Sequence, residues 1–359
     1  LTKWRKERDS EFKADASFVA YERDTYMIDV ACPRFGSGEA KGVVKQSVRG
    51  LDIYIVCDVF NHLLTYKLYG QQVPMSPDDH YADLKRIITA IGGKARRITV
   101  VMPMLYEGRQ HKRAGRESLD CATALQELVD MGVDNIITFD AHDPRVQNAI
   151  PVHGFENVMP TYQMIKACLK YDKDIILKKD HTMIVSPDEG AMSRCMYYSS
   201  VLGMDLGMFY KRRDYSKIVE GRNPIVAHEY LGNSVEGKDV FIADDIISSG
   251  ESMLDIAYAL KKRNARRVFC YATYGLFVNG LQKFDDAYAN GYIDAVFGTN
   301  LTYRTKELLS REWFHEVDCS KYISFFIAAL NHDASIGNVI DSNQKIKALL
   351  ARRNQEEAE

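Results

Sequence analysis

Several signatures of nucleotide and hydrolytic chemistry are missing from this chain. It has no GxxxxGK(S/T) phosphate loop, and its glycine-dense stretch, Gly36-Ser-Gly-Glu-Ala-Lys-Gly42, lacks the spacing of a dinucleotide fold. No Ser/His/Asp or Cys/His nucleophile signature is present. The seven cysteines, at 32, 57, 121, 168, 195, 270 and 319, are odd in number and never form a CxxC pair. Such scattered thiols point to a reducing compartment and away from a zinc site. No apolar run reaches the ~18 residues of a membrane span, and the first fifteen residues hold no signal-peptide core. Charge of one sign is also lacking: a net charge of −2 gives no electrostatic case for nucleic acid or an anionic membrane. The expectation is a soluble, cytoplasmic protein with no nucleic-acid and no membrane partner. What is present is ordinary globular material. With 359 residues, 46% hydrophobic and 27% charged, the chain can build two domains or one large one.

The most informative stretch is Asp239-Val-Phe-Ile-Ala-Asp-Asp-Ile-Ile-Ser-Ser-Gly-Glu-Ser252. The apolar run 240–243 reads as a short buried strand that delivers Asp244 and Asp245 to its C-terminal end. A small-residue turn follows, then a helical pattern with Met253, Ile256, Ala257 and Leu260 on one face. A strand–turn–helix of this kind offers free backbone N–H groups and hydroxyls to an anion at the helix N-terminus. Twin carboxylates, which only accept hydrogen bonds, suit sugar hydroxyls or a magnesium ion. A phosphate cradle beside a diol clamp is what a ribose 5-phosphate requires. The plainer reading is an acidic strand end capped by serines.

Comparison of the chain with itself suggests a duplication. Arg49-Gly-Leu-Asp-Ile-Tyr-Ile-Val-Cys-Asp-Val59 resembles Glu236-Gly-Lys-Asp-Val-Phe-Ile-Ala-Asp-Asp-Ile246, and Ala95-Arg-Arg-Ile98 resembles Ala265-Arg-Arg-Val268. A weaker third pair is Val133-Asp-Asn-Ile-Ile-Thr-Phe139 with Ile293-Asp-Ala-Val-Phe-Gly-Thr299. Strands are expected at 98–102, 135–139, 183–185, 240–243, 268–272 and 295–297, with a helix over 118–131 closed by Gly132. The alternation predicts α/β domains with mainly parallel sheets and ligands at the C-terminal strand ends. The chemistry-bearing loops are not repeated, since Cys57-Asp58 stands where Asp244-Asp245 does and no serine-rich turn follows. Two similar domains with different jobs around one cleft are therefore expected.

Four further constellations suit a nucleotide and a metal. Phe139-Asp-Ala-His-Asp143 puts His142 between carboxylates after a strand, where it is either a phosphate or metal ligand or a histidine satisfied locally. Ile184-Val-Ser-Pro-Asp-Glu-Gly190 offers backbone N–H groups to a diphosphate and Asp188 to magnesium, although Ser-Pro-Asp also reads as an ordinary helix start. Tyr210-Lys-Arg-Arg-Asp214 is either a solvated face or a set of anion clamps. Arg34-Phe-Gly-Ser-Gly-Glu39 and Glu107-Gly-Arg-Gln-His-Lys-Arg113 combine an aromatic ring, arginines and a glutamine in a way that suits adenine and a triphosphate. On their residues alone both are polar loops.

In this order the motifs resemble the ribose-phosphate pyrophosphokinase family, whose sugar-phosphate loop is shared with phosphoribosyltransferases. The likeness runs from about Phe35 to Asn338. It implies two similar phosphoribosyltransferase-like domains: 16–158 on the ATP side, 159–330 on the ribose 5-phosphate side, and a C-terminal turn and charged tail over 331–359. It implies transfer of the diphosphoryl group of ATP to the anomeric hydroxyl of ribose 5-phosphate. By that resemblance Lys211 and Arg213 are catalytic clamps on a mobile loop. Phe35, Glu39, Arg109, Gln110 and His142 meet ATP, and Asp244, Asp245, Ser248, Ser249, Gly250 and Ser252 hold the sugar phosphate. His142 and Asp188 organise Mg2+. It further implies a homo-oligomer, a hexamer built from dimers, in which Phe35 reaches a neighbour's ATP. The chain departs from the family at Ser37 and His111, where aspartates are usual, and at Glu251, where glycine is usual. A carboxylate ~5 Å from a phosphate is repelled by roughly 3 kcal/mol per charge pair at an effective dielectric of 20. Glu251 is therefore expected to turn outward. The rival readings are a regulatory paralogue, a phosphoribosyltransferase, and a diphosphokinase acting on another sugar phosphate.

Overall fold

The computed structural model describes residues 1, 3, 5, 23–213 and 225–356, with backbone alone at 211–213, 225–228, 338, 354 and 356. It divides into two compact units. The first comprises Leu1–Val158 with Cys319–Ile340, the second Met159–Asp318 with Asp341–Glu359.

In chain order, the first unit contains β1 (Val30–Ala31), β2 (Val43–Val44), β3 (Asp52–Val56), the hairpin β4 (Thr65–Leu68) and β5 (Gln71–Pro74), β6 (Arg97–Val101), β7 (Asn135–Phe139) and β8 (Gly154–Val158). Strands β3, β6, β7 and β8 form a parallel sheet in that order. Helix α1 (Pro77–Ile91) begins at a Ser76 capping box with Pro77 in its first turn and ends at Gly92, whose φ of 60° suits a residue without a Cβ. Its apolar face, with Leu84, Ile88 and Ile91, joins Val100 and Ile136 of the sheet and Leu125 of α2 (Asp120–Asp130) in one core.

The second unit contains α3 (Thr161–Tyr171), β9 (Thr182–Ser186), α4 (Met192–Leu202), β10 (Asp205–Arg213), β11 (Ile225–Leu231), β12 (Asp239–Ile247), α5 (Glu251–Lys261), β13 (Arg267–Gly275), α6 (Gln282–Ala289), β14 (Ala295–Thr299) and β15 (Phe314–Val317). Its described strands run in the order β11-β10-β9-β12-β13-β14-β15, parallel except for the β10–β11 hairpin. Val240, Phe241, Ile242 and Ala243 are buried on both faces of the sheet, as a central parallel strand requires. The mainly parallel α/β architecture expected from the alternation of elements is present in each unit.

The duplication extends to individual hydrogen bonds. In the first unit Arg97 grips Asp52 through Nε at 3.0 Å and Nη2 at 2.6 Å, while Asp134 accepts from Ile98 N at 2.8 Å. In the second, Arg266 and Arg267 both grip Asp239, each with a 2.6 Å contact, and Asp294 accepts from Val268 N at 2.8 Å. Each unit thus locks the starts of two adjacent strands with an aspartate, an Arg-Arg pair and a second aspartate at the next strand. All three sequence pairings, including the weakest, carry this device.

Two features differ from the sequence expectation. The strand anticipated at 240–243 continues to Ile247, because β13 pairs with it as far as Gly275. The helix Ser320–Asn331, placed by sequence with the 159–330 segment, packs in the first unit. There Tyr322 and Phe326 meet Phe139 edge-on, and Arg97 reaches the Leu330 carbonyl at 2.6 Å.

Candidate active site

In the second unit, β9 has β10 on one side and β12 on the other, so the chain reverses its direction of travel across the sheet between β9 and β12. Ligands of open α/β sheets bind at the strand C-termini beside such a switch point. β12 pairs with β9 only as far as Ile242, opposite Val185, yet stays paired with β13 to its end. Asp244 and Asp245 therefore lie where β12 has lost one neighbour.

Asp245 is buried and Asp244 partly so. Asp244 Oδ1 accepts from Asp245 N at 2.9 Å. Buried Arg194, near the start of α4, lies 3.4 Å from Asp244 and 3.7 Å from Asp245. Burial pushes the Asp244 carboxyl well above the usual carboxylate range, with the neighbouring Asp245 adding to the rise, Arg194 opposing it and Asp188 adding again. Carboxylates only accept hydrogen bonds, so a pair of them beside a guanidinium suits hydroxyl groups or a cation.

Next to them, the turn after β9 is held by its own polar groups. Ser186 Oγ donates to the Asp188 carbonyl at 2.7 Å, and the Asp188 carboxylate accepts from Gly190 N and Ala191 N at 3.0 and 3.2 Å. Cys195 of α4 donates to the Ala243 carbonyl at 3.2 Å, fastening α4 to β12. The phosphate-loop candidate follows β12. Ser248 accepts from Val278 N at 3.0 Å through its carbonyl, and Ser248 and Ser249 are half-buried. Gly250 precedes α5 at φ 80° and has no side chain to cap it, while Ser249 Oγ accepts from Glu251 N at 3.4 Å. A Cβ at Gly250 would come within 2.2 Å of the Phe284 ring, so both the dihedral and the packing demand glycine. Glu251 turns aside to an ion pair with Lys283 on α6, as the expectation of an outward side chain had it. Arg194 and Lys283 were not singled out from sequence. The spacing of six residues from Asp188 to Arg194, across a turn into a helix, was the available signal for the former. None existed for the latter.

The first unit gathers other members of the expected set. Gln110 Nε2 donates to the Ser118 carbonyl at 3.2 Å, and Arg109 is exposed at the turn. His111 lies beside His142 with ring centroids 5.3 Å apart, and its Nε2 is 3.4 Å from Asp143. Burial lowers the His111 pKa more than Asp143 raises it, with His142 lowering it further, so the imidazole is neutral near pH 7. Hydrogen bonds from Arg145 draw Asp143 down to about 2.

Arg34 is pinned by Asp83 at 2.9 Å and stacks 4.5 Å from the Tyr66 ring, whereas its neighbour Phe35 is 60% exposed. The turn closes through Phe35 N to Glu39 O at 2.7 Å, and Ser37 Oγ donates to the exposed Glu39 carboxylate at 2.8 Å. The β4–β5 hairpin supports it, with Tyr69 N donating to Gly36 O at 2.8 Å. An open groove of about 470 Å³ runs between them, lined by Arg34, Phe35, Leu64, Tyr66 and Met75. Lys211 and Arg213 lie on β10 opposite His228 and Ile225 of β11, and their side chains lie outside the described residues, as does the connection 214–224.

The fold and this arrangement define a duplicated phosphoribosyltransferase-like α/β protein. Residues 11–132 match the model of the N-terminal domain of ribose phosphate pyrophosphokinase, and 156–303 match the phosphoribosyl transferase domain. Ribose-phosphate pyrophosphokinases of Vibrio parahaemolyticus and Shewanella oneidensis are each 27% identical, over 86% of this chain and 90% and 89% of theirs. The phosphoribosylpyrophosphate synthetase of Mycobacterium smegmatis has the same fold, with a TM-score of 0.72 and 21% identity over 88% of this chain and 94% of that one. The chain belongs to the ribose-phosphate pyrophosphokinase family.

Proposed function

We propose that this chain is an ATP:ribose-5-phosphate diphosphotransferase. A bond forms between the anomeric oxygen of ribose 5-phosphate and the β-phosphorus of ATP. The bond from that phosphorus to the α–β bridging oxygen breaks, the proton of the anomeric hydroxyl is lost to solvent, and AMP leaves beside phosphoribosyl pyrophosphate. The observation that carries this reading is the grouping of Asp188, Asp244 and Asp245 at the sheet's switch point, followed directly by the serine turn and the N-terminus of α5.

Such a transfer asks little covalent work of a protein, so positioning and charge stabilisation dominate. Asp244 and Asp245 accept hydrogen bonds from the ribose hydroxyls. The amides around Gly250, with the hydroxyls of Ser248, Ser249 and Ser252, take the 5-phosphate. Phe35 stacks on adenine, Glu39 contacts the nucleotide, Arg109 and Gln110 orient ATP, and His142 donates to its phosphates. Lys211 and Arg213 close on the transferring group.

Asp188, Asp244 and Asp245 supply hard carboxylate oxygens of the kind Mg2+ takes, usually one or two from protein and the rest from water and phosphates. Among the described residues no group of three His, Cys, Asp or Glu is placed to hold a metal ion. Asp188 and His142 are the residues assigned to magnesium-ATP, and the ion, when bound, neutralises polyphosphate charge. No helix among the described residues is long and apolar enough to cross a membrane. A cytoplasmic homo-oligomer, a hexamer built from dimers, completes the reading. Incubation with magnesium-ATP and ribose 5-phosphate, followed by phosphorus NMR, tests it. Equal amounts of AMP and phosphoribosyl pyrophosphate are expected, and ATP left intact, or cleaved only to ADP and phosphate, would overturn it.

A further inference from the structure

Helix α6 touches the phosphate loop at two points. Phe284 fills the space that a Cβ at Gly250 would need, and Lys283 forms an ion pair with the Glu251 carboxylate, 32 residues earlier in the chain. Segment 276–278 adds backbone hydrogen bonds to Ile247 and Ser248. The Glu251 and Lys283 side chains are 53% and 56% exposed, so their pairing adds little to stability. Its consequence is one of direction. Glu251 is the first residue of α5, and a carboxylate in the first turn of a helix is drawn to the free N–H groups there. Left alone, it would compete with an incoming phosphate for the same amides or repel it.

We propose that Lys283 is a positioning residue for the sugar-phosphate loop, holding the Glu251 carboxylate aside so that the N-terminus of α5 stays open to a phosphate dianion. The inference rests on assigning that loop to a sugar phosphate. It also accounts for how the loop accommodates a glutamate: the added negative charge arrives with its own counter-charge from the neighbouring helix.

The test is a double-mutant cycle read by calorimetric binding of ribose 5-phosphate without ATP. Lys283→Ala is expected to weaken binding about tenfold with Glu251 present and less than about threefold in a Glu251→Gln background. Lys283→Arg is expected to bind as the parent does, and all variants to keep the parent melting temperature. Equal affinity of the parent and Lys283→Ala would overturn the proposal. So would a tenfold loss that persists in Glu251→Gln, because Lys283 would then be meeting the phosphate itself. Turnover separates this from the function: a protein that binds ribose 5-phosphate yet forms no AMP refutes the transfer reaction and leaves the cycle decisive, whereas a parent that binds none refutes both.

Discussion

Asp244 and Asp245 stand side by side in a buried setting, with Arg194 3.4 and 3.7 Å away. Burial and mutual repulsion lift the Asp244 pKa, and buried Arg194 returns part of that energy. Hydroxyl donors from the proposed ribose ligand would favour the charged carboxylates further. The clamps proposed for the reacting phosphates are a separate matter. Lys211→Ala and Arg213→Ala are each expected to lower kcat by about 10²–10³ without changing the melting temperature. Turnover near the parent value would remove them from the mechanism. Glu251 is the opposite kind of residue, unusual in type yet already neutralised by Lys283. Glu251→Gly should shift KM for ribose 5-phosphate only a few-fold in steady-state assays. A hundredfold gain in affinity would mean that the native loop rejects this sugar.

Among the elements, β12 carries the most. Its start is tied by Asp239, which is fully buried and held by Arg266 and Arg267, while its end presents the carboxylate pair. Burial acts to raise the Asp239 pKa, but hydrogen bonds from Arg267 and then Arg266 outweigh it and the net shift is downward. A carboxylate depressed in the folded state contributes stability above its unfolded pKa near 4 and loses it as pH falls through the folded value. Asp239→Asn is therefore expected to cost about 2–4 kcal/mol at pH 7 in urea unfolding, because two guanidiniums lose a charged partner. The difference from the parent should shrink steadily below pH ~4. A difference that stays constant from pH 7 to pH 3 would show that packing, not charge, is what Asp239 supplies. The β4–β5 hairpin plays a smaller supporting part, bracing the turn that leaves Phe35 exposed.

At the scale of the whole molecule, an exposed phenylalanine beside a pinned arginine finds a use if it enters another subunit's nucleotide site. If Phe35 and Glu39 do so, specific activity must fall on dilution as the assembly comes apart. Light scattering and activity measured together over a dilution series check this. A monomer with full specific activity would exclude the shared site. The duplicated Asp and Arg-Arg device shows that one scaffold was used twice, with the loops at the strand C-termini free to diverge. After β3 comes Cys57 and an Asx turn at Asp58, whereas after β12 come the paired carboxylates and the start of α5.

Much of the architecture was legible in the sequence because it is written in local terms. Buried parallel strands are short runs of Val, Ile and Phe, Gly132 marks a helix end, and the repeated Asp and Arg-Arg residues survive because a buried ion pair tolerates little change. The same holds for Asp188, Asp244, Asp245 and Ser248, which lie in continuous motifs flanking single strands. Other features depend on contacts between segments distant in the chain, and no local pattern encodes those. Arg194 reaches a carboxylate pair fifty residues on, Lys283 meets Glu251 from the next helix but one strand, and His111 comes to lie against His142. The helix Ser320–Asn331 is apolar enough to cover either sheet, and its place in the first unit is decided by Phe139, Asp52 and Arg97. Its amphipathic pattern states that it must be covered, and only tertiary packing states by what.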